Sequence, residues 1–565
     1  MNFDSNMRVR FDPVSGELVV SQRKRVPAGF FSSGRKGRRG VGSVSVIVGD
    51  NGAGKTSVAA LIGDILLKGD GKLDYVLVVE QSDGRCVYSS NREGIKTKLS
   101  RVEAKGLFSL CYLTPHFTPD RLLGEHGDDV GDLSPSALVA RSGNEVAAYE
   151  DREVGRLFEF SAQLGVRGKA LTKEFGLTMP LGMTLEPVLH KMKDLRMWAQ
   201  EQRERDRLIG TERISRIADI LSVGNFEPMS AVFILMAGMA FKNTYVQAMN
   251  GSRSPCLELE RFCEHLRNEA VHSCENVRAV QRAVIDFVNG PFGRLLAPAV
   301  GGEMDHALRC IRDFFWHLDA VMSHVNLNFE GQEKRVVAWC QFDASKEVDV
   351  RRYCYDLINA HAKLRASGAD CRVLQFGLYP KMSAGERSSH ALWARLFEWI
   401  KEHPKAAENL VLFLDETETT LHPSLQRRLV KNFILFFEEL FPEAHVHIVF
   451  STHSPNLLSD IPIGNVVLLR RDVAASESAA EPVSTCVDTI AECIPNTFGS
   501  NVFDLYYRHF KLDDGPVGVF ASEKINALCQ MDKKRASSND ILIRELIGDD
   551  YVRGYLRLRE GSNRQ

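Results

Sequence analysis

Hydrophobic and polar positions change their period along the chain, and those changes mark out the elements. Residues 7–20, MRVRFDPVSGELVV, alternate around Ser15-Gly16 and predict a hairpin. The apolar run Ser45-Val46-Ile47-Val48 predicts a strand. Gly49 to Ser57, GDNGAGKTS, interrupts it with small residues, and Val58-Ala59-Ala60-Leu61-Ile62 opens a helix. Tyr75 to Val79 and Leu107 to Leu113 are further strand candidates. From residue 150 to 330 the period turns helical, with Glu186 to Leu208 and Leu257 to Val288 as the longest stretches. Pro180, Gly210, Pro228, Gly251 and Pro291 break that region, which favours a compact helical insertion over a long coiled coil. Two apolar runs, ENLVLFLDETE (Glu408 to Glu418) and HVHIVFSTHSP (His445 to Pro455), have the length and composition of buried strands. Between the insertion and the first of them, Ser383 with Glu386 forms a capping-box start for the helix that includes HALWARLFEWIK.

This order of elements predicts an α/β fold with a mixed sheet, interrupted by the helical insertion. At 565 residues the chain exceeds one ordinary domain. Four stretches are expected: 1–150 and 336–495 as two halves of one head, 151–335 as the insertion, and 496–565 as an aromatic and helical tail. A hydrophobic share of 44% supplies ample core, and a net charge of −2 makes no global case for nucleic-acid binding. The basic tract Gly34 to Gly40, GRKGRRG, reads as a solvated connection. Twelve cysteines lack any CxxC pair, and no apolar stretch reaches membrane-spanning or signal-peptide form, so a cytoplasmic protein without a membrane role is expected.

The chemistry concentrates at the ends of three predicted strands. Gly49-x4-Gly54-Lys55-Thr56 is the phosphate-loop spacing. The backbone N–H groups of Asp50, Asn51, Gly52, Ala53, Gly54, Lys55, Thr56 and Ser57 would cradle phosphates of ATP at a helix start. Lys55 would reach the β- and γ-phosphates, and Thr56 would ligate Mg²⁺. The strand ending at Asp415 is expected beside that loop, with Asp415 holding Mg²⁺ through water and Glu416 polarising the attacking water. His453, at the mouth of the next strand, is placed to touch a γ-phosphate. The helix start at Ser383 and Gly385 presents N–H groups to an anion. Phe30 and Phe31 either stack on the base or fill the core of a hairpin. Cys263, His265, His272 and Cys274 do not form one zinc site, because on a helix the cysteines and the histidines occupy opposite faces.

Taken together, GDNGAGKT, MSAGE, VLFLDE and FSTHS occur in the order of the ABC-type ATPases, with Ala384 replacing the first glycine of the usual signature. DETETTLHPSLQ followed by STHSPNLLSD resembles ATPases of the overcoming-lysogenization-defect type and their AAA-family relatives in anti-phage systems. Thr497 to Ile525 resembles a C-terminal signature of the ATPase subunit of Septu-type defence systems, some encoded beside retrons. The resemblance covers 7–120 and 370–525. It implies an ABC-type head, a head-to-tail homodimer in which Ser383 closes over the partner's ATP, and control of a His-Asn-His (HNH) nuclease subunit. A retron reverse transcriptase with its DNA, or another nucleic acid, is a further implied partner. Neither a Toprim nuclease motif nor a His-Asn-His finger is visible, so the chain itself is expected to be an ATPase only. The usual glutamine between the ATP-contacting halves is absent from LCYLTPHF, where Thr114 or His116 stands in. Ser522-Glu523-Lys524 does not replace the missing nuclease motif. Repair ATPases of the SMC and RecF kind, which also split the head, are the alternative class. In the tail, Phe498, Phe503, Tyr506, Tyr507 and Phe510 either dock the partner or close the ATPase core.

Overall fold

The computed structural model describes residues 3, 6–22, 26–27, 29–32, 40–49, 52–68, 74–81, 84–117, 130–142, 146–167, 169–177, 180, 182–187, 302–324, 327–332, 335–341, 347–366, 374–471, 485–487, 496–509, 519–530, 538–547 and 549–561. The cysteine and histidine cluster at 263–274 lies outside them, as do most of the basic tract and the predicted helix 257–288.

A seven-stranded sheet organises the molecule. Its strands run in the spatial order Thr485–Val487, Val466–Arg471, Gly40–Gly49, His445–Thr452, Leu410–Asp415, Ser109–Leu113 and Val130–Asp132. Every pairing is parallel except that of the first two strands. A parallel sheet is buried on both faces, which explains why these strands read as near-continuous apolar runs. Val44, Val46 and Val48 of the Gly40–Gly49 strand enter one core with Leu412 and Leu414. Ile47 turns to the other face and packs with Phe413, Val449 and helix residues Val58 and Ala59. Burying each such large side chain contributes about 1.5–3 kcal/mol.

The strand Leu410–Asp415 is one strand removed from the loop-bearing strand Gly40–Gly49, and Thr56, just after the loop, reaches Asp415. His445–Thr452 lies between them and pairs parallel with both, its register against Gly40–Gly49 shifting between Val446 and His447. An eight-residue apolar run buried over most of its length is most stable at the centre of the sheet, where both of its edges find partners.

The first face is covered by the helices Ala384–Glu402 and Leu429–Leu440, with Trp393, Leu396, Phe433 and Phe436 buried. Three long helices, Val146–Arg167, Gly302–His324 and Glu347–Ala366, pack onto this layer. The stretch 151–335 is not purely helical. Gly182–Pro187 and Leu327–Gln332 are strands of a second, antiparallel sheet, completed by Arg335–Gln341 and Leu374–Tyr379. Glu186, predicted to open a helix, belongs to the first of these. Met183 and Leu185 alternate into the core, a period-two signal too short to stand out in a helical stretch. The hairpin prediction for 7–20 corresponds to Met7–Phe11 paired antiparallel with Leu18–Gln22.

Candidate active site

In a parallel sheet the carboxyl ends of all strands face one side, and the loops leaving that side can meet. Here those loops carry Lys55, Glu416 and His453, and Asp415 ends its own strand. Gly54 caps the helix Lys55–Gly63 with φ 88°, a left-handed conformation that glycine adopts without a steric penalty. At Gly49 a Cβ would approach the Leu469 carbonyl oxygen to 2.7 Å, so no other residue fits where the strand enters the loop. Asp50 and Asn51 lie outside the described residues. Gly52, Ala53, Gly54 and Ser57 follow the turn into the helix, with Ala53 buried and Ser57 exposed.

Lys55 is only 6% exposed, so its ammonium needs partners. It donates to the Gly49 carbonyl at 3.1 Å and lies 2.6 Å from His453 Nε2 and 3.9 Å from Glu416 Oε1. His453 Nε2 is in turn 3.3 Å from Glu416 Oε1. Glu416 has φ 49°, a left-handed conformation that is unusual for a residue other than glycine and stores backbone strain. That turn lifts its side chain off the strand direction, while its N–H donates to the Ser451 carbonyl at 2.9 Å.

Asp415, buried below these groups, accepts from three hydroxyls. Thr56 Oγ1 and Tyr112 Oη donate to Oδ2 at 2.8 and 2.9 Å, and Ser451 Oγ donates to Oδ1 at 2.6 Å. Burial, reinforced by Asp415, raises the Tyr112 phenol far above its ordinary range and keeps it a proton donor. Thr56 and Asp415 thus form an all-oxygen pair of the type that suits Mg²⁺, which completes its shell with phosphate and water. No group of three or more His, Cys, Asp or Glu among the described residues is placed to hold a metal unaided.

Two residues behind this floor escaped sequence reasoning. Glu418 is buried, and Thr452 Oγ1 donates to its Oε1. Burial pushes its carboxyl up to about 7, against the opposing Thr452 bond. Gln426 joins the two loops that carry Glu416 and His453. Neither Tyr112, Ser451 nor Glu418 has a local signal, since each acts across strands or between loops.

Thr114 and His116, the two candidates for the missing glutamine, separate clearly. Thr114 is buried and accepts the His116 N–H. The His116 ring is half-exposed, 3.7 Å from Glu416 Oε2 and 3.0 Å from Thr419 Oγ1. Phe31 is a core residue with Phe30 edge-on to it at 5.0 Å. Both line a cavity of about 620 Å³ with Gly42, Val411 and His445, at the amino ends of the strands. The burial of Phe31 and the ring contact of Phe30 fit the core reading of these phenylalanines.

Ser383 caps the helix Ala384–Glu402 through the full capping box: its Oγ accepts the Glu386 N–H, and Glu386 Oε2 accepts the Ser383 N–H at 2.9 Å. Ser383 and Gly385 are exposed and do not join the Lys55 cluster within the chain. In the tail, Phe498 packs edge-on against Phe30 at 5.1 Å, whereas Phe503 is 75% exposed. Tyr506 and Tyr507 fall on the helix Val502–His509, and Phe510 lies outside the described residues.

Residues 387–459 match the protein family described as "AAA domain, putative AbiEii toxin, Type IV TA system". The match runs from the body of the Ser383-capped helix through Asp415 and Glu416 to just past His453, so the part of the chain similar to that AAA domain carries Asp415, Glu416 and His453 and leaves the Lys55 loop outside it. No curated protein sequence matches. Among solved structures the chain is similar to the Smc head domain with an extended coiled coil, bound to the C-terminal domain of ScpA, from Pyrococcus furiosus. The identity is 12% and the TM-score 0.20, over 86% of this chain and 97% of that one. Among the described residues no helix is long and apolar enough to cross a membrane.

Proposed function

We propose that this chain binds Mg²⁺-ATP at the carboxyl edge of its central sheet and hydrolyses it. One observation carries the reading: Lys55, Glu416 and His453 stand within hydrogen-bond or ion-pair reach of one another, and their chain neighbours Thr56 and Asp415 are hydrogen-bonded, although these residues come from three distant segments. The backbone of Asp50 to Ser57 cradles the phosphates, and Lys55 leaves its internal partners for them. Thr56 and Asp415 hold Mg²⁺, which when bound neutralises charge on the phosphates. Glu416 accepts the proton of the attacking water, the γ-phosphorus gains that oxygen, and its bond to the ADP oxygen breaks. His453 contacts the γ-phosphate, and His116 takes the place of the missing glutamine. Ser383 and Gly385 of a second copy complete the site in a head-to-tail dimer.

On this reading 1–150 and 336–495 form the head, 151–335 the insertion and 496–565 the tail. The output is control of a partner, for which the resemblance of Thr497 to Ile525 supports a His-Asn-His nuclease in an anti-phage complex, with a retron reverse transcriptase and its DNA as further candidates. A head divided by a long insertion equally fits an SMC- or RecF-like repair ATPase.

The decisive experiment is Mg²⁺-dependent hydrolysis by the purified chain. Glu416→Gln keeps the shape but removes the base, so turnover falls at least ~100-fold while ATP still binds. Unchanged turnover in that variant would falsify the assignment.

A further inference from the structure

The loop after Glu416 and the loop after Thr452 meet over a single side chain. Gln426, half-buried at the end of the short helix Pro423–Gln426, spans them. Its Nε2 donates to the carbonyl oxygens of Glu418 and Leu421, both at 3.1 Å. Its Oε1 accepts from Ser454 Oγ and Asn456 Nδ2, both at 2.9 Å. A side-chain amide has two donors and two acceptor sites, and all four are used. The orientation is therefore determined by the network. Rotated by half a turn, the amide would set N–H against N–H at Asn456 and oxygen against two carbonyls.

The chain on either side of this bridge carries the two groups whose spacing matters most. Glu416 Oε1 and His453 Nε2 lie 3.3 Å apart, yet they belong to different loops. Glu416 is also held at φ 49°, a conformation that an untethered loop would relax. Three ties oppose that relaxation. The Glu416 N–H is bound to the Ser451 carbonyl, Thr452 Oγ1 donates to Glu418, and Gln426 fastens the far end of one loop to the start of the next.

We propose that Gln426 is a positioning residue for ATP hydrolysis, setting the separation of Glu416 and His453 from outside the nucleotide site. Its four hydrogen-bond partners lie in the loop after Glu416 and at the start of the short helix that follows His453, none in the Lys55 loop, so its loss should misalign the base without weakening the phosphate cradle. The proposal rests on Glu416 acting as the base.

The test uses the purified full chain, with wild type and Glu416→Gln measured in parallel. Gln426→Glu matches the size of the amide but loses both donors and sets a carboxylate against two carbonyl oxygens. Its kcat should fall about 10–100-fold, as expected for a small displacement of a reacting group. KM for ATP should stay within about twofold, the signature of an effect on the chemical step. Added to His453→Ala, Gln426→Glu should cost much less than it does alone, because the aligned pair is already broken. Asn456→Ala, which removes one donor from the opposite end, should lower kcat in the same direction with KM unchanged, and serves if Gln426→Glu does not fold. Wild-type kcat in folded Gln426→Glu, a rise in KM that accounts for the whole loss, or full additivity with His453→Ala overturns the positioning role. Absence of hydrolysis in the wild type, or its persistence in Glu416→Gln, instead overturns the functional reading beneath it.

Discussion

The floor around Asp415 and the helix start at Ser383 are built on opposite plans. Asp415 is buried, and three hydroxyls from three different elements converge on it. Ser383 is exposed, and its capping hydrogen bonds come from its own first turn. One region is assembled by tertiary structure and is complete within a single chain. The other is assembled locally and faces solvent, as a surface that meets another molecule must. On the proposed reading, the groups for hydrolysis stand together within one chain, while the helix start that would complete the site is exposed. On that reading nucleotide-dependent association is the control point.

The sharpest way to break this comparison is Ser383→Arg. Losing an N-cap costs only about 1 kcal/mol, so the chain should fold. A bulky cation at the presented helix start should nevertheless abolish ATP-dependent dimerisation and lower turnover about 100-fold. Size-exclusion chromatography with ATP, in the Glu416→Gln background, gives the first readout. An unaltered dimer would mean that the exposed helix start is an ordinary cap.

A smaller effect separates the floor from its support. The Glu418 carboxyl is held at about 7 against an ordinary 4.5, so the folded state binds its proton more tightly than the unfolded chain does. Its contribution is full below the unfolded value and is lost as pH rises through the folded one. Wild type should therefore lose on the order of 3 kcal/mol from this group between pH 4.5 and about 7. Glu418→Gln should lack that slope, and urea midpoints across the same window measure it. Parallel slopes in the two proteins would contradict the buried, protonated carboxyl.

The smallest effect is expected from Tyr112→Phe, which leaves Asp415 with the Thr56 and Ser451 donors. Stability should fall by about 1.5–2 kcal/mol, typical of one hydrogen bond to a charged group, and turnover by less than about tenfold. A loss as large as that of Glu416→Gln would show that the floor works through Tyr112 alone.

Local chemistry made some of this protein legible without its structure. The strand, glycine loop and helix around Lys55 announce themselves because phosphate cradling needs small residues and a helix start within nine consecutive positions. The Ser383 cap and the buried runs ending at Asp415 and Thr452 are visible for the same reason: each depends on neighbours in sequence. Phe30 and Phe31 carried two readings, because an aromatic pair looks the same whether it meets a base or a core. The burial of Phe31 against Phe30 is a tertiary fact that the pair alone does not announce. Strand order also lay beyond the sequence, since two apolar runs buried on both faces are interchangeable until their edges are paired. The short strand Gly182–Pro187 was hidden because six residues cannot outweigh a helical period around them. Sequence alone determined which backbone turns this chain can make and which side chains can carry charge or protons. Only the tertiary structure decided that Tyr112, Ser451 and Thr56 share one carboxylate, and that Gln426 joins two loops. Those contacts are made by distance in space, which the order of residues does not encode locally.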